Sequence, residues 1–303
     1  MTATNLKGVA AGAGAGVAPG AGANPAAFQF VRDLAGALST GEVALPSYPQ
    51  VALRLQKLLA DESTDADRLV RVLGAEPVLA ARIVAMANSA ALNPAGRKTA
   101  DLRTAVVLMG HDALRTTAAA FAMAQIRHAA EYQSVATQVA ALWHESAARA
   151  AMSYVVARHT ESFPPDTAML AGMLSGVGKP YLLARASKLP LLLADECGFQ
   201  IIVRDWQANI AQALLESWRI APEITDAVRG WGAAPENSGS NPSLADVLSC
   251  ADLLASYRLQ PELLQGLIAE HRPMQRLGLK AGCAQLLEDS ALELAALRDA
   301  LNG

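Results

Sequence analysis

Cysteine is scarce in this 303-residue chain. Cys197, Cys250 and Cys283 stand far apart and odd in number, which excludes a disulfide framework and a cysteine-rich zinc site and points to a reducing compartment, the cytoplasm. Each thiol reads as a small buried hydrophobe. Aromatic residues make up only 5%, and with so few strand-favouring side chains a sheet is not expected. Neither sign of charge dominates: 25 Lys and Arg against 28 Asp and Glu leave −3 and an isoelectric point near 6.0, which removes any bulk attraction to nucleic acid or anionic lipid. No run reaches the ~18–20 continuous apolar residues needed to cross a bilayer. No stretch alternates with the period of two that marks a half-buried strand.

What is abundant is Ala and Leu, within a hydrophobic content of 52%, and both favour helices. The chain is long enough to bury a large core. Residues 1–24 hold eight Ala and six Gly with Lys7 as the one charged side chain; they read as a flexible tail that cannot offset its ordering entropy. Gly8, Gly12, Gly14 and Gly16 interrupt the apolar stretch a signal peptide needs. Beyond Pro25 the segments read as helices. A short one over Asp33–Leu38 ends at Ser39-Thr40-Gly41, and an apolar face of Val51, Leu55, Leu58 and Leu59 follows over 48–60. Ser63-Thr64-Asp65 offers an N-cap for a helix ending at Gly74, and Pro77 suits the first turn of the next. Asp101 caps another, Gly110 separates it from a stretch reaching about Ala130, and Asn93-Pro94-Ala95-Gly96 and Glu236–Pro242 read as loops. The second half predicts helices over 137–158, 166–174, 188–197, 205–218, 222–230 and 243–256. Beyond Gly282, Leu287, Leu294, Leu297 and Leu301 form a stripe that either packs on the body or meets a partner. The expectation is an all-α, multi-helix bundle.

Residues 166–180, Asp-Thr-Ala-Met-Leu-Ala-Gly-Met-Leu-Ser-Gly-Val-Gly-Lys-Pro, resemble the segment Ala-Gly-Leu-Leu-His-Asp-Ile-Gly-Lys that carries the His-Asp dipeptide of HD-type metal-dependent phosphohydrolases. Upstream stand Leu45-Pro46-Ser47-Tyr48-Pro49, Glu76-Pro77-Val78-Leu79-Ala80-Ala81-Arg82, Ala87-Asn88-Ser89-Ala90 and Leu108-Met109-Gly110, in that order. This is similar to the HDOD family, a degenerate relative of those phosphohydrolases found in bacterial signalling proteins, over about residues 42 to 260. The resemblance implies an HD-like helical core over 131–260, an N-terminal helical subdomain over 25–130 and a helical extension over 261–303. Asn88 and Ser89 fall at a helix end, where they would hydrogen-bond exposed backbone groups.

Hydrolysis of this type needs imidazoles and carboxylates converging on a cation that activates water. The resemblance sets the ligand positions in this chain. In Leu142-Trp143-His144-Glu145-Ser146 the first ligand position holds Glu145, and His144, one place earlier, should point elsewhere because a residue turns the helix by ~100°. The central dipeptide has become Ser175-Gly176. A segment that opens with His in the family opens with Gln207, and a His pair falls at about Trp231-Gly232. Asp252 alone keeps its acid. This donor set predicts no catalytic metal, no cofactor and no enzyme activity, with Glu145, Ser175, Gly176, Lys179, Gln207, Trp231 and Asp252 left as a degenerate cleft.

Two motifs mislead. His111-Asp112 is a literal His-Asp pair, but it opens a helix, where a carboxylate favours the positive end, and has no second His one turn away. Gly176-Val177-Gly178-Lys179 lacks the spacing and the following Ser or Thr of a phosphate loop, and reads instead as a helix end with a Gly cap and Lys179 at the negative end of the dipole. Ser175 does not sit in a Gly-x-Ser-x-Gly elbow. His128, His159 and His271 read as solvated.

The function expected from the resemblance and the lost ligands is a non-enzymatic signalling module that binds proteins: a kinase, a receiver or a cyclic-dinucleotide enzyme. A residual phosphohydrolase or nucleotide-binding protein using Glu145, Lys179 and Asp252 is the alternative. A DNA-associated regulator would need a local patch from Arg82, Arg97, Lys98 and Arg103, against the overall charge.

Overall fold

A computed structural model describes residues 25–40, 50–61, 64–89, 92–93, 98–127, 130–218, 220–231, 241–280 and 282–302. The tail, Leu45–Pro49, most of the 93–96 loop, His128 and most of the 236–242 loop lie outside the described residues. Every regular element within them is a helix.

Local chemistry sets most helix ends. Helix α1 (Pro25–Thr40) begins eight residues before the short helix expected from the pattern. Pro25 fits the first turn, and Phe30 and Leu34, four apart, are both buried. Then follow α2 (Gln50–Leu59), α3 (Ala66–Leu73), capped by Asp65 accepting from the Arg68 amide at 2.7 Å, and α4 (Pro77–Ala87). Asp101 accepts from the Thr104 amide at 2.7 Å and opens α5 (Leu102–Arg127). Gly110, at φ 69° and ψ 179°, breaks that helix in two, a backbone state that favours glycine. A 3-10 turn (Ala130–Val135) leads into α6 (Ala136–Thr160), and α7 (Pro165–Leu174) follows.

The next stretch departs from expectation. In place of a Gly-capped helix end, residues 175–177 turn straight into α8 (Gly178–Ala186). Lys179 therefore lies in a first turn, near the positive end of a dipole. The helix expected over 188–197 is divided between α9 (Pro190–Ala194) and α10 (Glu196–Ser217), because Asp195 stops one and caps the other by accepting from the Gly198 amide at 3.0 Å. The chain then forms α11 (Pro222–Trp231), α12 (Leu244–Tyr257), α13 (Pro261–Glu270), α14 (Arg272–Arg276), α15 (Cys283–Asp289) and α16 (Ala291–Asn302). Ser243 and Asp246 form a reciprocal capping box on α12. His271 is half-buried rather than solvated: its Nδ1 accepts from the Met274 amide at 3.3 Å, and burial lowers its pKa. Cys197 is exposed, unlike Cys250 and Cys283.

One continuous apolar core spans the described helices. Helix α6 is its axis: α7, α12 and α16 pack along it, and α5 packs on α4 and α7. Its small residues, Ala147, Ala150, Ala151 and Ala157, are all nearly inaccessible, and they let neighbouring backbones come close. The C-terminal stripe packs on the body, with Leu297 and Leu301 fully buried and Arg158 of α6 paired with Glu293 of α16. Asn88 ties the end of α4 to the following segment: its Nδ2 donates to Val84 O at 2.9 Å and Thr99 O at 2.7 Å, and its Oδ1 accepts from the Thr99 amide at 2.8 Å. Ser89 contributes its backbone amide, which donates to Met86 O at 2.9 Å.

Two positions generate predictions. A Cβ on Gly178 would stand 2.2 Å from the Gln207 carbonyl oxygen, so α8 meets α10 only through a bare Cα. Gly178→Ala should destabilise the fold by about 2 kcal/mol or more, read by urea unfolding, because backbone rather than a flexible side chain must yield. Asp166, in the first turn of α7, has a buried Oδ1 without a hydrogen-bond partner among the described residues. Burial, helped by the neighbouring Asp112 charge, pushes its pKa up from 3.8 to about 6. Between those values the folded chain holds a proton that the unfolded chain has released. The contribution of the neutral acid is therefore complete below pH 4 and lost as pH rises through about 6. Asp166→Asn should raise stability at pH 7.5 by about 1 kcal/mol, a figure reduced for the group's partial exposure, and change little at pH 4.

Candidate functional site

Arg149 was not among the residues the sequence singled out, yet it organises the site. It lies in the alanine-rich part of α6, on the face carrying Glu145 and Ser146 one turn earlier, and is only 4% exposed. Its Nε donates to Asp252 Oδ1 at 2.7 Å. One terminal nitrogen donates to Ser175 Oγ at 3.0 Å. The Ser175 hydroxyl in turn donates to Gly172 O at 2.8 Å, which turns its lone pairs toward the arginine. The guanidinium carbon lies 4.6 Å from the centroid of the Trp231 ring, a cation–π contact. Three positions that the resemblance equates with metal ligands, Ser175, Trp231 and Asp252, thus hold a guanidinium.

Gly176 belongs to the same arrangement. A Cβ there would meet Ser146 Oγ at 2.5 Å and approach Arg149 at 3.5 Å, so the carboxylate found at this place in the family pattern would have to displace the Ser146 hydroxyl. Gln207 enters through its backbone, as the carbonyl that Gly178 accommodates. Its side-chain Oε1 is buried without a partner among the described residues.

Arg149 forms the floor of an open basin of about 690 Å³ whose wall includes His144, Glu145, Lys179, Asp252, Arg258 and Arg298. His144 and Glu145 both face it, contrary to the expectation that one residue of helical rotation would turn His144 away. Both lie on the exposed side of α6, and the basin is wide enough to span the two. Of the DNA-patch candidates, Arg103 is paired with Asp67 and Arg97 lies outside the described residues. His111-Asp112 opens the second half of α5, with Asp112 paired to Arg115.

A divalent cation does not fit these residues. Ser175 offers a neutral hydroxyl already engaged, Trp231 offers no ligating lone pair, and the one retained carboxylate faces a fixed positive charge. Among the described residues no three His, Cys, Asp or Glu side chains converge.

The HDOD domain model matches residues 45–231, well over half of the chain. The chain belongs to the HDOD family. It is similar in structure to a candidate metal-dependent phosphohydrolase from Shewanella amazonensis SB2B (22% identity, 91% of this chain and 99% of that one, TM-score 0.72). An HDOD domain protein of unknown function from Geobacter sulfurreducens (19%, 90% and 96%, TM-score 0.62) is similar as well. So is a candidate signal transduction protein from Marinobacter aquaeolei VT8 (20%, 86% and 60%, TM-score 0.54). At these identities the likeness is one of fold. Among curated proteins, none matches.

Signal for Arg149 did exist in the sequence: a lone arginine within Ala147-Ala-Arg-Ala-Ala151, on a helix otherwise fit for burial, needs an acceptor. A buried charge is costly to orphan. Asp252→Asn should cost about 2–3 kcal/mol in urea unfolding, less than a fully buried pair because the Asp252 side chain is 40% exposed. Arg149→Met, which removes the charge, should cost less than Asp252→Asn. The double variant should cost less than the sum of the two.

Proposed function

We propose that this HDOD chain is a non-enzymatic regulatory module of bacterial signal transduction that acts in the cytoplasm by binding other proteins. A signalling kinase, a receiver or a cyclic-dinucleotide enzyme is the class of partner. The reading rests chiefly on Arg149. A single fixed positive charge, held by Asp252, Ser175 and Trp231, takes the place between positions that would grip a dication. A guanidinium cannot bind and acidify a water as a metal does. The family and the fold favour the same class.

The test has two arms. Purified chain should show no hydrolysis of nucleotides or phosphodiesters that manganese or iron stimulates and a chelator abolishes. Ser175→His with Gly176→Asp should still bind no manganese by titration, whereas adding Arg149→Ala should be required before any ion is retained. Chelator-sensitive turnover by the unaltered chain would refute the reading. For the binding role, capture from a native extract should return a signalling protein with the unaltered chain and lose it with Glu145→Lys and Lys179→Glu. Capture unaffected by those reversals would move the working surface away from the cleft.

A further inference from the structure

An aliphatic groove of about 380 Å³ runs beside the basin, between α6, α12, α15 and α16. Ala151, Met152, Leu259, Leu287 and Leu294 form its walls, with no aromatic ring among its lining residues. The two hollows share Ala148, Ala255, Arg258 and Arg298, so both arginines stand at the junction. We propose that basin and groove together form one binding site for a single-chain organic amphiphile with an anionic head group, carboxylate or phosphate. This goes beyond the regulatory reading and does not depend on it.

Charge places the head. Arg149 is already matched by Asp252. That leaves Lys179, Arg258 and Arg298 as the cations of the two hollows, with Glu145 in the basin, Glu288 in the groove and Asp299 beside Arg298 as the carboxylates around them. Arg258 spends one terminal nitrogen on Ala255 O at 2.8 Å, and Arg298 has only a loose contact with Asp299 at 3.8 Å. Lys179 has no ion-pair partner among the described residues. The Lys179 ammonium and the remaining terminal nitrogens of the two arginines suit an anionic oxygen, and guanidinium groups bind such oxygens well.

The groove places the tail. Its wall is methyl, methylene and thioether, which matches a polymethylene chain and gives a nucleobase no ring to stack on. Leu259 is 81% exposed at its mouth, apolar surface that a bound chain would cover. A concave, mostly apolar site with a few convergent polar groups is the usual form of a small-molecule pocket, and both volumes fall in that range. Arg258, Leu259, Leu294 and Arg298 lie beyond residue 231, where the family match ends, whereas Glu145, Ala151, Met152 and Lys179 lie within it.

Isothermal titration of the full chain with dodecyl phosphate and with dodecanoate, each below its micellar concentration, tests the idea. Saturable one-to-one binding of at least one is expected, weakening as salt is raised; whichever binds tighter identifies the head. Arg258→Gln with Arg298→Gln should lower that affinity about tenfold or more. Ala291→Trp, at an exposed position on the groove wall, should block the amphiphile with an unchanged unfolding midpoint. Absence of saturable binding, equal affinity for inorganic phosphate or AMP, or indifference to both variants would each overturn the proposal.

Discussion

A guanidinium buried to 4% exposure governs the geometry of this molecule. Its donors are directional and none can be switched off by deprotonation, so the surrounding helices must supply acceptors at fixed places. Asp252 comes from α12, Ser175 from the end of α7, and the ring of Trp231 from the last residue of α11. Three helices, α7 and α12 packed on α6 and α11 packed on both of those, are thereby tied to one side chain. Such a pair adds little net stability over an apolar filling, yet breaking it by removing one member is expensive. The arrangement works as a registry device: misplacing any of the three helices leaves a buried charge unmet.

That demand is compatible with the packing because α6 is otherwise built from small residues. Alanines at 147, 150 and 151 flank Arg149 and are nearly inaccessible, so the long arginine stem has room to run between close backbones. The same economy appears where α8 meets α10 at Gly178, and where Gly176 leaves space for Ser146 and the guanidinium. A chain with few aromatics fills its interior by bringing backbones together, and positions without a side chain become structural requirements.

Much of this was legible in the residues. Helical composition, the caps at Asp65 and Asp101, the break at Gly110 and the all-α class follow from local rules, because each depends on side chains within one turn of the backbone they satisfy. The altered positions Ser175, Trp231 and Asp252 were legible as departures from a family pattern. What replaced them was not. Arg149 and Asp252 are 103 residues apart in sequence, and no periodicity connects them. The division of 188–197 into α9 and α10 is not legible because Asp195 looks the same in mid-helix as at a cap until its φ of −90° and ψ of 76° are known. Lys179 stands at the opposite end of a dipole from the one the pattern suggests for a related reason: Gly178 serves a close helix contact, which sequence alone cannot tell from a left-handed cap.

A metal and a guanidinium share a sign but differ in what they permit. A dication accepts exchangeable ligands, polarises a bound water and adjusts its coordination as charge develops; a guanidinium is planar, monovalent and a hydrogen-bond donor alone, with no coordination position to offer a water. A guanidinium in a metal's place would keep a positive floor to the cleft without a metal's means of activating a nucleophile. Under the reading proposed here, the outcome is a surface that still favours anions but leaves them chemically unchanged. The cations on the basin's walls, Lys179, Arg258 and Arg298, are then free to contribute to affinity and selectivity.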